Sequence, residues 1–321
     1  MTPQPDIDPA PRPAVTRLAW SSLVLMVAVI LGGAVVRATN SGAGCGESWP
    51  RCDGQIIPLS PEGATLIEFS HRMMTAALGI VLLALVVMVR RHYPAGHRVR
   101  RALLWTFGFF MGEVVIGAIL VVFGWVEDDA SIGRVFAVTL HLMNTFFLLG
   151  AMTLTAHFAS GRPPVAPDWS RTRDRLLLTG VIALLVVGAS GALNALSDTL
   201  FPADSVLDGI RDEFGPTAPF LLRLRTIHPL VAIAGGGILF ILCRAPSLAG
   251  WQRANRYSVA VQVLLAAQLV IGLMNIALLT PVETQVVHLL VADLLWILWV
   301  LLGAEVIGAR AGYGAREVEP A

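Results

Sequence analysis

Four histidines in this sequence could bind the iron atoms of two hemes. Each lies near the start of a long apolar segment, and the four are His71, His141, His228 and His288. A neutral imidazole is an effective axial ligand of heme iron, and polar side chains inside a membrane are costly and commonly functional. A single histidine of this kind could simply be hydrogen-bonded between helices. Four at corresponding positions instead predict two bis-histidine heme sites.

A carboxylate distinguishes the first of these sites from the second. Glu68 stands three residues before His71, whereas Arg225 stands three residues before His228. Side chains three residues apart share a helix face, so Glu68 would overhang the ligand space of His71 as an acid, a base or a stabiliser of positive charge. The alternative for Glu68 is a solvated carboxylate at a helix N-terminus. Arg225, like Arg72 in the first half, would instead suit a heme propionate.

The elements that must position these residues are membrane-spanning helices. The chain has 321 residues, of which 55% are hydrophobic and 14% charged, a balance outside that of soluble domains. A helix of about 20 apolar residues crosses a bilayer. Such windows predict an all-α integral membrane protein with eight transmembrane helices, near residues 18–36, 67–89, 102–123, 135–157, 176–197, 222–243, 257–279 and 285–307. The net charge of +1 gives no indication of a nucleic-acid partner.

The distribution of charge predicts the orientation of these helices. Arginines, which are the basic residues of a chain without lysine, crowd the second, fourth and sixth loops, and acidic residues crowd the odd-numbered loops. The positive-inside rule therefore places both termini in the cytoplasm and the heme sites toward the outer face of a bacterial plasma membrane. The proline-rich residues 1–16 are unlike a cleaved signal and are expected to form a disordered cytoplasmic tail, and residues 308–321 a second tail.

Two cysteines in the first outer loop are expected to form a disulfide. Cys45 and Cys52 are separated by six residues, the outer face of a bacterial membrane permits oxidation, and two thiols are too few for a structural zinc site. The disulfide could stiffen the loop over the first heme site or take part in turnover, and both roles remain open.

An internal repeat relates the two halves of the chain. Matching segments follow the histidines of the second and sixth helices and recur in the third and seventh: Gly79 with Gly236, and Val-Ile-Gly at 115–117 with 270–272. The repeat pairs residues 17–157 with residues 176–307 across a cytoplasmic linker at 158–175. It predicts two four-helix bundles related by a pseudo-twofold axis along the membrane normal.

Two deeper carboxyl groups receive no predicted role. The repeat places Gln268 opposite Glu113, and Asp293 lies within the eighth helix. Either acid could relay protons, or be hydrogen-bonded between helices. Both are therefore left outside the predicted site.

From about residue 17 to residue 307 the chain resembles the bacterial heme A synthase family. Each matching piece is short, but the ordered set is specific. The pieces are Gly32-Gly33-Ala34-Val35-Val36-Arg37 leading to Ser41-Gly42, Cys45 to Cys52 with Trp49-Pro50, Ile56-Ile57-Pro58, Ile67-Glu68-Phe69-Ser70-His71-Arg72, and the three later histidines.

The resemblance implies oxidation of the C8 methyl group of heme O to a formyl group, by successive hydroxylations, to give heme A for terminal oxidases. It implies that the substrate heme lies between His71 and His141 with Glu68 as the catalytic carboxylate. A heme b cofactor would lie between His228 and His288. The implied partners are heme O synthase, the assembly machinery of the terminal oxidase and membrane lipid, and homo-oligomerisation is left open.

One departure and one rival interpretation accompany the resemblance. Some members of the family carry a second cysteine pair in the fifth loop, and residues 198–222 contain none. A mechanism that needs both pairs would therefore not apply to this chain.

The rival is a diheme cytochrome b that only transfers electrons, which the four histidines do not exclude. Glu68 and the Cys45/Cys52 pair favour the enzyme, because a pure electron carrier needs neither.

Overall fold

The computed structural model describes residues 10–245 and 252–314, and these ranges fold into helices and connecting loops. Within them, eight helical segments are long and apolar enough to cross a membrane, which confirms the predicted fold class and number of spans. In chain order the helices are α1 (Pro13–Ala38), α2 (Gly63–His92), α3 (Arg98–Val122), α4 (Ile132–Ala159), α5 (Thr172–Leu200), α6 (Val206–Glu213), α7 (Phe220–Leu224), α8 (Ile227–Arg244), α9 (Gln252–Ala277) and α10 (Val282–Gly314).

The terminal helices are longer than their apolar windows. Helix α1 begins at Pro13, whose fixed φ angle and missing N–H suit the first helical position. Helix α10 continues to Gly314, past the predicted start of the C-terminal tail at residue 308. Residues 1–9 and 315–321, which make up most of the two predicted tails, lie outside the described residues.

The sixth span is divided into two helices by a proline. Pro229 cannot donate a backbone hydrogen bond, and its ring conflicts with the carbonyl four residues earlier, which belongs to Arg225. Helix α7 ends at Leu224 and α8 begins at Ile227. Arg225 and Thr226 keep right-handed helical angles, so α7 and α8 together form one span, from Phe220 to Arg244.

The spans pack as two closed groups of four. Contacts run from α1 to α2, α3, α4 and back to α1, and equally from α5 to α8, α9, α10 and back to α5. The groups meet where α1 and α4 pack against α5 and α10. This packing agrees with two four-helix halves, and the symmetry axis between them stays a prediction.

Aromatic side chains fill the interface between the two groups because glycines make room for them. The rings of Phe146 and Trp296 lie 5.0 Å apart, and Phe146 also packs closely against Gly188. Within the second group, Trp299 of α10 likewise packs against Gly180 of α5. Small residues of this kind allow close helix approach within a membrane.

Candidate functional site

The four histidines lie at similar distances from the starts of their spans. His71 lies eight residues after Gly63, and His228 lies eight residues after Phe220. His141 and His288 lie nine and six residues into their spans. The repeat-related histidines therefore occupy comparable positions along their spans, as two similar heme sites would require.

Three of the imidazoles pack against glycine backbone on a neighbouring helix. A Cβ atom at Gly33 of α1 would lie 3.1 Å from Cε1 of His71, and one at Gly191 of α5 would lie 3.1 Å from Cε1 of His228. A Cβ atom at Gly272 of α9 would lie 3.2 Å from Cε1 of His288. The glycines therefore make room for rings that larger side chains would displace.

The geometry of the second site fits a metal held between two histidines. The ring centres of His228 and His288 lie 6.5 Å apart. Two metal–nitrogen bonds of about 2 Å each, with roughly 1 Å more from each nitrogen to its ring centre, require about 6 Å. Nδ1 of His228 lies 3.0 Å from Oγ of Ser190, which leaves Nε2 for iron. Nδ1 of His288 is buried without a hydrogen-bond partner among the described residues.

In the first site the two histidines have different surroundings. Nδ1 of His141 lies 2.7 Å from Oε2 of Glu113 on α3, which is an ion-pair distance without hydrogen-bond alignment, and Nδ1 of His71 is also buried without a hydrogen-bond partner in the described part of the chain. The structure thus adds an unpredicted carboxylate beside one of the two predicted ligands of the first site.

Glu68 is buried between α2 and the loop that joins α1 to α2, the predicted first outer loop. It is 3% exposed, unlike the solvated carboxylate that was the alternative. Its Oε2 accepts a hydrogen bond of 2.8 Å from the backbone N–H of Cys45, and its Oε1 accepts from Nε of Arg72 at 3.0 Å and also from Nη2. Since a carboxylate has about four acceptor positions, these bonds hold the group in place and leave capacity for a substrate.

The first outer loop is closed over α2 by the Cys45–Cys52 disulfide, which the structure contains as predicted. Nη1 of Arg72 donates to the carbonyl oxygens of Ser48 and Arg51 at 3.0 and 2.7 Å. Arg72 therefore joins Glu68 to the loop. Its predicted role at a heme propionate stays a prediction.

Arg225 in the second half is matched by acidic side chains. Its Nε donates to Oε1 of Glu213 at 2.6 Å, and its Nη1 lies 3.2 Å from Oδ1 of Asp198. These bonds connect the start of α8 with α6 and the end of α5. Arg225 thus occupies a different setting from Glu68, and its predicted contact with a propionate is also untested.

Comparison with known proteins places the chain in a family. Residues 16–300 match the model of the cytochrome oxidase assembly protein family COX15-CtaA, the heme A synthase family. The chain belongs to this family. The resemblance drawn from the sequence motifs is therefore confirmed.

Individual relatives match different lengths of the chain. A Thermus thermophilus protein named protoheme IX farnesyltransferase is 40% identical over 311 residues, which are 96% of this chain and 50% of that protein. Heme A synthases of Bacillus mycoides and Bacillus cereus are 38% and 36% identical over 104 residues, 32% of this chain and 33% of each relative. The chain thus spans about half the length of its Thermus relative.

Sequence reasoning missed the role of one arginine of the family motif. Nη1 of Arg37 donates to the carbonyl oxygen of Ala195 at 2.6 Å and to Oγ1 of Thr199 at 2.7 Å, and its Nη2 donates to Oε1 of Gln285 at 2.8 Å. Arg37 lies four residues after Gly33, so it connects the first site to α5 and α10. The sequence signal for these contacts was a single charged residue at the end of an otherwise apolar helix.

The glycine beside His228 provides a first test of the site. We expect Gly191→Leu to displace the imidazole and to weaken heme binding by about tenfold or more, as disturbing groups around metal ligands commonly does. The measurement is the heme content per purified protein, from the absorbance of the pyridine complex.

Gly237→Leu is the matched control, because a side chain there meets open space among the described residues. Equal heme content in Gly191→Leu and Gly237→Leu would show that Gly191 does not position His228.

Proposed function

We propose that this chain is a heme A synthase, which oxidises the C8 methyl group of heme O to a formyl group. Membership of the family and the relatives named heme A synthase support this reaction class. The observation that carries the proposal is the burial of Glu68, one helical turn before His71, beneath the disulfide loop. The second half has Arg225 at that position, so the two sites are built for different tasks.

The first half is the proposed substrate site. His71 and His141 would hold heme O, and Glu68 would act on the reacting methyl group. Each hydroxylation would join the methyl carbon to an oxygen atom of water and release two electrons and two protons, so positive charge develops at that carbon. A fixed, buried carboxylate stabilises such charge and can accept a proton. The hydrogen bonds from Cys45 and Arg72 hold the carboxylate of Glu68 in place, so it needs little reorganisation when charge develops on the methyl carbon.

The second half is the proposed site of a heme b cofactor between His228 and His288. When bound, heme b would accept electrons that the oxidation of the methyl group releases. Ser190, whose Oγ lies 3.0 Å from Nδ1 of His228, would fix the orientation of that ring. Histidine ligands commonly need such partners to keep one tautomer and one ring plane.

The eight apolar spans make the chain a multi-pass membrane protein, which suits a substrate with a long hydrocarbon tail. We place both termini in the cytoplasm and the heme sites toward the outer face, since arginines crowd the even-numbered loops. In this orientation the disulfide loop lies in the oxidising compartment.

We further infer that the substrate comes from an enzyme that farnesylates heme. The Thermus relative is named protoheme IX farnesyltransferase and is about twice as long as the part that matches this chain. A protein that has this name and also contains a region similar to this chain would both make heme O and convert it. Terminal oxidases would receive the product.

The decisive experiment identifies the hemes that the protein binds and makes. The chain is purified from cells that also produce heme O, and the extracted hemes are identified by mass spectrometry. We expect heme b together with heme A or its hydroxylated precursors. His71→Ala, as the comparison, should keep heme b and lose the others. Heme b alone in both sites of the wild-type protein would contradict the proposal and favour the electron-transfer cytochrome.

A further inference from the structure

The fourth and eighth spans differ in what holds their histidines. Oε2 of Glu113 lies 2.7 Å from Nδ1 of His141. At the corresponding position of the repeat, Nε2 of Gln268 lies 3.1 Å from Nε2 of His288. The carboxylate thus lies at Nδ1 of its histidine, whereas the amide lies at Nε2 of the other, and Nδ1 of His288 has no hydrogen-bond partner among the described residues.

Glu113 is itself held in place. Nδ2 of Asn144, one turn after His141, donates to Oε1 of Glu113 at 2.6 Å and to the carbonyl oxygen of Phe109 at 2.8 Å. The residue one turn after His288 is Val291, whose side chain has no polar atom to donate. The chain from asparagine through carboxylate to imidazole is therefore a feature of the first half.

A carboxylate beside a histidine ligand changes the reduction potential of any iron that the histidine binds. When one nitrogen binds iron, the other carries a proton that a neighbouring acceptor can take as a hydrogen bond. A carboxylate is a stronger acceptor than an amide oxygen and makes the imidazole a more basic ligand. A more basic ligand stabilises ferric iron relative to ferrous iron, and this lowers the reduction potential.

We propose that Glu113 is a positioning residue that gives the first heme site a lower reduction potential than the second. At the second site Nδ1 of His288 has no hydrogen-bond partner among the described residues, and the neutral amide of Gln268 meets the opposite ring nitrogen, Nε2. Electrons leaving the first site would then move to the second site with a favourable free-energy change. The inference rests on the proposed function, because it assigns a direction to the electron transfer which that function needs.

The test alters Glu113 and the residue that holds it, and measures reduction potentials. The full-length protein is purified in detergent and reconstituted with hemin, and each heme is followed by absorbance during reductive and oxidative potentiometry. A His71→Ala/His141→Ala variant isolates the signal of the second site. We expect Glu113→Gln to shift the ferric-to-ferrous equilibrium of the first heme at least about tenfold toward ferrous, a rise of about 59 mV for a one-electron couple.

Asn144→Val is the companion variant, because it removes the side chain that donates to Oε1 of Glu113 and introduces the residue type of the second half, Val291. It should raise the potential of the first heme in the same direction while the second is unchanged. A role of Glu113 in helix packing alone would leave the potentials unmoved in both variants, and that result would overturn the inference. If Glu113→Gln loses its first heme, the Asn144→Val variant decides in the same way.

These measurements use hemin and no heme O, so they are independent of catalysis. If the potentials shift as expected but the protein makes no heme A, only the proposed function is contradicted. Unmoved potentials in a protein that makes heme A would contradict only the role of Glu113.

Discussion

Glu68→Gln is expected to reduce heme A formation by about 100-fold or more, the range in which a positioned acid or base contributes to rate. Glutamine has nearly the same size and can still accept the hydrogen bond from the backbone of Cys45, which measures 2.8 Å to Oε2. It cannot carry the negative charge that pairs with Arg72. The measurement is the ratio of heme A to heme O in extracts of membranes from cells that supply heme O.

Two controls separate a chemical role of Glu68 from a structural one. Heme b content should stay at the wild-type level in Glu68→Gln, because His228 and His288 belong to the other half of the molecule. Glu62→Gln removes an exposed carboxylate just before the same helix and should leave heme A formation intact. Normal heme A formation in Glu68→Gln would remove this carboxylate from the mechanism.

His228→Ala is expected to empty the second site while the first site still binds heme O. Changes around a metal ligand commonly weaken binding by about 10- to 100-fold, and removal of a ligand should have at least this effect. His288→Ala should behave in the same way, since the two rings face each other across 6.5 Å. Heme b and heme O per purified protein are measured separately by chromatography of the extracted hemes.

His92→Ala is the control, because it removes a histidine that lies outside both predicted heme sites. His92 is exposed at the end of α2, where its Nδ1 lies 2.8 Å from the carbonyl oxygen of Met88. We expect it to retain both hemes. Full heme b content in both His228→Ala and His288→Ala would contradict the assignment of the cofactor site, whereas loss of heme O alone would mean that the two sites have been exchanged.

The spans were predictable because membrane insertion depends on local properties. About 20 apolar residues in sequence are favourable in the bilayer wherever they pack, and each predicted window lies in or closely overlaps a helix of the structure. The break in the sixth span was also encoded locally, by Pro229, although a hydropathy window averages over it. The extension of α10 to Gly314 was not predictable from hydropathy, because the added residues are less apolar than the span itself.

Some site residues were recognisable because the repeat compares one half of the chain with the other. Alignment of the halves singled out the histidines and the contrast between Glu68 and Arg225. It also placed Gln268 opposite Glu113, but no contact between Glu113 and a histidine could be read from it. The two residues are far apart in the sequence, and only helix rotation brings Glu113 to His141.

The sequence by itself determined the eight spans, the positions of the four histidines along them and the cysteine pair of the disulfide, since these follow from apolar length, spacing and residue type. Tertiary structure alone decided which partners each of those residues has. Glu68 meets Cys45 and Arg72, and Arg37 reaches α5 and α10 across the interface of the two halves. The physical reason is that a span is stabilised by its own transfer into lipid, whereas a side-chain contact depends on how two separate helices rotate and pack.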